Sequence, residues 1–389
     1  MISTCVVTAV AEKKCRAAIR QAHKINPGAK IAVIGCFSEV KPQEIARIDG
    51  VNLILGHSGK FNLLEEIEKT DPGSMHEPYH PVRFSGEEFI ASYSYGDRTR
   101  SFLKIQDGCD YYCSYCTIPL ARGHSRSDTI ANVIRNAKEI IGAGVREIVL
   151  TGVNIGDFGR QTGESFLQLI KKLDKLAEIP RIRISSIEPD LLNDEIIEFV
   201  AGSQRILPHF HIPLQSGSNK ILQAMKRKYD RELYASRIHK IRVLLPYACI
   251  AADVITGFPG ENENDFRDSL GFITDLDVSY MHVFTYSGRE NTVAAKMTNP
   301  VPDKVKKERS EYLHHLSEEK KRSFYRENKG RSVNVLFESD KTGGFMHGFS
   351  ENYIKVGTLY DEHLINKIIT CRLIDQDDNG FYLLSNPVA

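Results

Sequence analysis

The stretch from residue 101 to residue 286 constrains the fold of this chain more than any other feature. Six short apolar runs recur along it: SFLKIQ (101–106), REIVLT (146–151), RIRISSI (181–187), HFHIPL (209–214), CIAADVIT (249–256) and YMHVFTY (280–286). Helical stretches lie between them, at 128–142, 164–177, 191–201, 219–225 with 231–244, and 262–275. Strands alternating with helices in series predict a parallel sheet with right-handed crossovers. Eight such units would close a barrel, so six predict an incomplete one. A long charged helix is expected over 302–328.

The flanks read differently. Residues 1–70 carry helical text at Lys13–His23, Pro42–Ile48 and Phe61–Lys69. Strand text stands at Lys30–Gly35 and Val51–Leu55. This is doubly wound α/β material, and it starts abruptly, with four residues before Cys5. The domain is therefore expected to be truncated. Residues 71–97, with three prolines and little periodicity, read as a linker with an edge strand. After Arg331 the text becomes short strands at 333–338, 352–358, 368–374 and 380–384. Gly343-Gly344 and Asp377–Gly380 are the expected turns. The fold class is α/β: a truncated doubly wound domain (1–70), a linker (71–97), a partial (βα)6 barrel (98–328) and a small antiparallel β-barrel (329–389). The last reads as a separable module of the OB-like kind.

Composition excludes several classes. Of 389 residues, 41% are hydrophobic and 26% charged, which rules out wholesale disorder. No apolar run approaches the ~18–20 residues of a membrane helix, and no secretory signal is visible, so a cytoplasmic protein is expected. The formal charge of +1 conceals local bias. Residues 205–242 carry nine basic against two acidic side chains, and 296–331 eleven against six; residues 332–389 carry four against eight. Clustered positive charge suits a polyanion; a solvated helix face is the competing reading.

Eight cysteines are too few for a disulfide scaffold. Three of them, Cys109, Cys113 and Cys116, stand in a C-x3-C-x2-C run just after the first barrel strand. Three thiolates can hold three irons of a 4Fe-4S cluster and leave the fourth open. Structural zinc, the alternative, wants four closed ligands, and no fourth stands at finger spacing. Odd polar residues fall at strand C-termini, where a barrel concentrates function: Thr151 to Asn154, Ser185-Ser186 with Glu188, Gln215-Ser216, Thr256-Gly257 and Tyr286-Ser287.

The triplet, with Tyr115 before its last cysteine, resembles the radical S-adenosylmethionine superfamily. The surrounding text resembles its methylthiotransferases: IQDGCDYYCSYCTIPLARGHSRS (105–127), LTGVNIGDFG (150–159), RISSIEPDLL (183–192), HFHIPLQSGSNKILQAMKR (209–227), DVITGFPGE (253–261) and HVFTYSGRENTVAAKM (282–297). STCVVTAVAEKKCR (3–16) is similar to part of the family's N-terminal domain, and the tail to the RNA-binding TRAM barrel. ARGHSRS and LTGVNIGDFG look most like the MtaB type, which acts on N6-threonylcarbamoyladenosine beside the tRNA anticodon.

The resemblance implies a tRNA-modifying enzyme that adds a methylthio group to C2 of that base. Its cofactors would be S-adenosylmethionine, a 4Fe-4S cluster on Cys109, Cys113 and Cys116, and an auxiliary 4Fe-4S cluster. Cys5 and Cys36 match two ligands of the auxiliary cluster; the third would lie upstream of this chain. Thr151, Gly152 and Asn154 would approach the methionyl amine, and Ser186 and Gln215 the carboxylate or ribose. Tyr115, Ile255 and Gly257 would flank adenine. tRNA and a low-potential electron donor such as a flavodoxin or ferredoxin would be the partners, with no membrane. Basic residues over 220–242 and 304–331 would hold phosphates, and Phe345, Phe349 and Tyr353 would stack on bases.

Competing readings stand beside these. Ser185 and Ser186 could satisfy strand ends, and Gln215 could cap a helix. His209 and His211 read as packed or satisfied, Cys249 and Cys371 as buried inert thiols, and Cys15 as a helix residue rather than an iron ligand. The rival functions are a methylthiotransferase for isopentenyladenosine or a ribosomal protein, and a non-catalytic RNA-binding or metal protein.

Overall fold

A computed structural model describes residues 1–57, 59–69, 89–94, 99–376 and 383–387. The chain divides into two compact units that do not follow sequence order. One joins Met1–Glu88 to Gly108–Arg126 and Ser287–Met297; the other holds Phe89–Asp107, Ser127–Tyr286 and Thr298–Ala389.

In the first unit a parallel sheet runs in chain order through Ile2–Thr4, Ile31–Gly35 and Val51–Leu55. Its middle strand is buried throughout, as the unbroken apolar run requires. Helix Ala9–Ile25 opens on Thr8, whose Oγ1 accepts the Ala11 N–H at 3.1 Å. Val6, Ile19, Val33, Phe37, Ile45 and Ala121 share one core, so the helix Ile118–Arg122 that follows the cysteine triplet packs with the N-terminal sheet. Sequence periodicity misses short elements such as Ile2–Thr4, Cys36–Val40 and Ile118–Arg122. They span five residues or fewer, too short to show a period.

In the second unit the six barrel strands are Arg100–Lys104, Glu147–Thr151, Arg181–Ile184, His209–His211, Cys249–Thr256 and Tyr280–Thr285. Neighbours pair in parallel, first with second, second with third, fourth with fifth and fifth with sixth. Isolated parallel bridges Ile182–Ile206 and Ser186–His211 join third to fourth. Among the described residues no pairing returns from the sixth strand to the first, so the barrel is open. Helices cover its outside. Two of them start on reciprocal caps, Ser165 with Gln168 and Asn262 with Asp265. Most of the expected linker lies outside the described residues; Ser92–Tyr93 pairs antiparallel with the first strand.

The tail is a closed barrel in the order Ser332–Thr342, Phe345–Ser350, Lys355–Leu359, Leu383–Pro387, Ile368–Gln376. It is antiparallel except where Lys355–Leu359 and Leu383–Pro387 close it in parallel. Gly343 and Gly344 turn the first hairpin with φ of +61° and +84°. The strand Phe345–Ser350 carries no clear strand pattern in the sequence, because Gly348 and Ser350 dilute its apolar text. The Asp377–Gly380 turn lies outside the described residues.

This tail is not a loosely tethered module. Arg181 and Arg183, each under 5% exposed, reach from the third barrel strand to tail carbonyls: Asn334, Phe349 and Ser350 for Arg181, Ser350 and Glu351 for Arg183. Glu147, fully buried, faces both guanidiniums at 2.9 Å. Barrel residues Cys249 and Tyr280 share a core with tail residues Val333, Phe337, Met346 and Val356.

Candidate cluster and cofactor site

In the first unit the cysteine loop springs from Gly108, whose φ is +68°. A Cβ there would lie 1.9 Å from the His124 carbonyl oxygen, so only glycine fits. Cys109 N–H donates to the Gly123 carbonyl at 3.1 Å and closes the loop on itself. Cys109 and Cys113 are buried and Cys116 half-buried. Backbone N–H groups point at two of the sulfurs, Tyr111 at Cys109 (3.3 Å) and Ile118 at Cys116 (3.5 Å). Such donors favour thiolate over thiol. Ala294 N–H donates to the Ser114 carbonyl at 2.7 Å, so the Ser287–Met297 segment supports the loop.

Cys5 and Cys36 lie on the same edge of the N-terminal sheet. Thr4 pairs with Gly35, and each cysteine is the next residue, at the C-terminal end of its strand. Gly35 has φ +107°, and a Cβ would meet the Thr4 carbonyl oxygen at 2.6 Å. Cys5 is exposed and Cys36 buried. Burial pushes the Cys36 thiol up, but a hydrogen bond with His57 and the Arg122 guanidinium, 3.4 Å away, outweigh it and hold it below the ordinary range. Cys15 Sγ accepts the Cys5 N–H at 3.5 Å, a proximity that helix periodicity alone does not reveal.

In the second unit the strand C-termini form a polar rim. Gln106, fully buried, accepts the N–H groups of Val153 and Asn154 at 2.8 and 2.9 Å and so fixes the Thr151–Asn154 turn. Gly152 lies against the same side chain; a Cβ would sit 2.8 Å from Gln106 Oε1. A strand pattern alone does not single out Gln106, which closes the apolar run 101–106. Gln215 stands at φ +67°, bridged to the fifth strand by Asp253 and Ile255. It caps no helix, since Ser218 precedes Asn219–Ala224. Gly257, at φ +78°, donates to Glu261, which Arg309 holds at 2.7 Å. Ser186 bridges to His211, and Tyr115 is half-buried in the cysteine loop of the first unit. Arg227 pairs with Glu188 beside this rim.

The radical SAM superfamily model matches residues 103–273, and a model described as uncharacterized protein family UPF0004 matches residues 1–56. Among curated relatives, the threonylcarbamoyladenosine tRNA methylthiotransferase MtaB of Bacillus subtilis (strain 168) is 37% identical over 384 residues, 96% of this chain and 85% of the relative. This chain belongs to the radical S-adenosylmethionine tRNA methylthiotransferases. The MtaB protein of Aquifex aeolicus is 35% identical over 364 residues, covering 92% of this chain and 89% of the relative. The tRNA-2-methylthio-N(6)-dimethylallyladenosine synthase of Alkaliphilus oremlandii is 33% identical over 390 residues, covering 96% and 81%. A solved radical S-adenosylmethionine methyltransferase, TsrM of Kitasatospora setae, with tryptophan and a SAM analog bound, shares the fold. Its TM-score is 0.57 at 15% identity, over 73% of this chain and 61% of that one.

Several buried side chains at the strand ends have no hydrogen-bond partner within the protein. Both polar atoms of the buried Asn154 amide, Ser185 Oγ and Thr256 Oγ1 are buried without a partner. They stand at the ends of the second, third and fifth strands. Unpaired buried polar groups are costly, and a zwitterionic nucleoside would satisfy donors and acceptors alike. The residues therefore fit S-adenosylmethionine.

Other expectations change. Much of the basic 205–242 stretch is committed internally: Arg227 to Glu188, Lys220 to Asp265, Arg231 to Asp268, Arg237 to Asp194, and Lys240 to Glu198. Lys304 and Lys307 stay exposed with weak helical partners. Phe349 and Tyr353 stack on each other at 4.8 Å and under Arg100 and Arg183, so they serve the barrel–tail joint rather than RNA bases. His209 is buried, and burial holds its imidazole well below the usual range; His211 bonds Asp253. Cys249 is inert, its thiol pushed up to about 12 by burial. Among the described residues no helix is long and apolar enough to cross a membrane.

Proposed function

We propose that this enzyme adds a methylthio group to C2 of N6-threonylcarbamoyladenosine in tRNA. The observation that carries the substrate is the likeness to MtaB relatives along 96% of the chain. The domains are read as 1–70, the linker 71–97, the barrel 98–328 and the tail barrel 329–389.

Cys109, Cys113 and Cys116 would hold a 4Fe-4S cluster with one iron left open. Bound there, the cluster and S-adenosylmethionine supply one-electron cleavage of a sulfonium carbon–sulfur bond. The chain's own residues bind, orient and exclude water. Gly108 sets the loop, and the N–H groups of Tyr111 and Ile118 donate to the Cys109 and Cys116 sulfurs. Asn154, with the Thr151-Gly152 backbone fixed by Gln106, would take the methionyl amine. Ser186 and Gln215 would take the carboxylate or ribose, with Ser185 and Thr256 offering further unpaired hydroxyls. Tyr115, Ile255 and Gly257 would flank adenine. Cys5 and Cys36 would be ligands of an auxiliary cluster that provides sulfur. A flavodoxin or ferredoxin would be the electron donor.

Ribonucleoside mass spectrometry on tRNA from cells lacking the gene tests the substrate. Loss of methylthiolated threonylcarbamoyladenosine, restored by the gene, is expected. Loss of the methylthiolated isopentenyl nucleoside instead would transfer the assignment to that branch.

A further inference from the structure

We propose that His211, Asp253 and His282 form a binding site for a divalent transition-metal cation inside the open barrel. Nothing in the cysteine chemistry uses these residues.

The strand register puts all three on one face. Asp253 pairs directly with His282, and His211 pairs with Ala251, two residues before Asp253. Phe210, Ala252, Val254 and Met281 point the other way, into the core with the helices. Strand alternation therefore turns His211, Asp253 and His282 to the inner face. Their ligand atoms all lie within 4.8 Å of one another. His211 Nε2 and Asp253 Oδ1 are already 2.9 Å apart, a spacing that two adjacent ligands of one small cation can share. The His211 and His282 rings meet edge to face at 5.4 Å, and Tyr280 closes on His282 at 5.3 Å. His282 is exposed while the other two are half-buried.

Two imidazoles and one carboxylate suit a first-row divalent ion such as zinc or iron(II), and three ligands leave positions open. An oxygen donor would complete the shell. This choice of ligand rests on the substrate reading above: a threonylcarbamoyl group carries a carboxylate and a hydroxyl, and a dimethylallyl group carries neither. The cation site itself stands or falls independently of that reading.

The test uses the full chain with the cluster on Cys109, Cys113 and Cys116 reconstituted and with Cys5, Cys15 and Cys36 replaced by Ser, so that no free N-terminal thiol competes for zinc. The protein is dialysed against zinc, and retained metal is measured by mass spectrometry. One zinc per chain is expected, with a zinc K-edge spectrum showing nitrogen and oxygen neighbours and no sulfur. Asp253→Asn and His282→Ala should each weaken retention ~10-fold or more with iron content unchanged. No retained zinc, sulfur in the zinc shell, or retention by both variants as tight as that of the unsubstituted protein at normal iron content would each overturn the site. If zinc binds as stated while nucleoside analysis identifies isopentenyladenosine as the substrate, the site survives and only its oxygen ligand is reassigned.

Discussion

Arg122 Nε donates to Cys36 Sγ at 3.4 Å, tying residues 86 positions apart within one compact unit. One end of that bond belongs to the helix after the Cys109–Cys116 loop, the other to the edge of the N-terminal sheet. Arg122 and His57 together outweigh the burial that would otherwise push the Cys36 thiol up. Arg122→Ala should therefore raise the thiol's pKa. Iodoacetamide should alkylate Cys36 several-fold more slowly at pH 7 in cluster-free protein, and the gap should close as pH rises. An unchanged rate would show that Arg122 does not support the thiolate.

Gly108→Ala should damage the cysteine loop without touching a cysteine. The left-handed backbone costs an alanine ~1–2 kcal/mol, and its Cβ would collide with the His124 carbonyl. Iron retained after reconstitution should fall several-fold, while the circular dichroism of the barrel stays normal. Full iron loading would mean the loop relaxes more easily than its geometry implies.

Glu147→Gln should destabilise the barrel–tail joint by ~3–5 kcal/mol, because it leaves Arg181 and Arg183 buried without their counter-charge. Burial pushes the Glu147 carboxyl up, but the two guanidiniums outweigh it and hold it below the ordinary range. A depressed folded-state pKa stabilises the fold above the unfolded value and loses that stability as pH falls. The variant's deficit in urea unfolding should thus be full at neutral pH and shrink below about pH 4.

Deleting Ser332–Ala389 should do more than weaken tRNA binding. The cut would bare Cys249, Tyr280, Phe324 and Tyr325 and strip Arg181 and Arg183 of their tail carbonyls. Loss of soluble protein or a marked fall in melting temperature is expected, together with loss of S-adenosylmethionine cleavage. A soluble truncation that forms 5′-deoxyadenosine normally would restore the picture of a separable tail.

Replacing Cys109, Cys113 or Cys116 with Ala should abolish 5′-deoxyadenosine formation, since each removes one of three cluster ligands. Undiminished product from any of the three would sink the radical chemistry.

The sequence by itself determined the open barrel, because six apolar runs and their helices carry period-2 and period-3.6 signals that need no partner to be read. It likewise located the cysteine triplet, whose spacing is local, and the rim residues Asn154, Gln215 and Gly257 at strand ends. Tertiary structure alone decided what joins residues far apart. Gln106 holding Asn154 spans 48 positions, Arg183 reaching Ser350 spans 167, and Arg122 meeting Cys36 spans 86. Charge counting over 205–242 could not distinguish a free lysine or arginine from one paired to an acid on another helix. Aromatic residues in the tail could not reveal that Phe349 and Tyr353 lie beneath Arg100 and Arg183. A local pattern records which face of an element is apolar; which groups then meet across the barrel is set by strand register and packing.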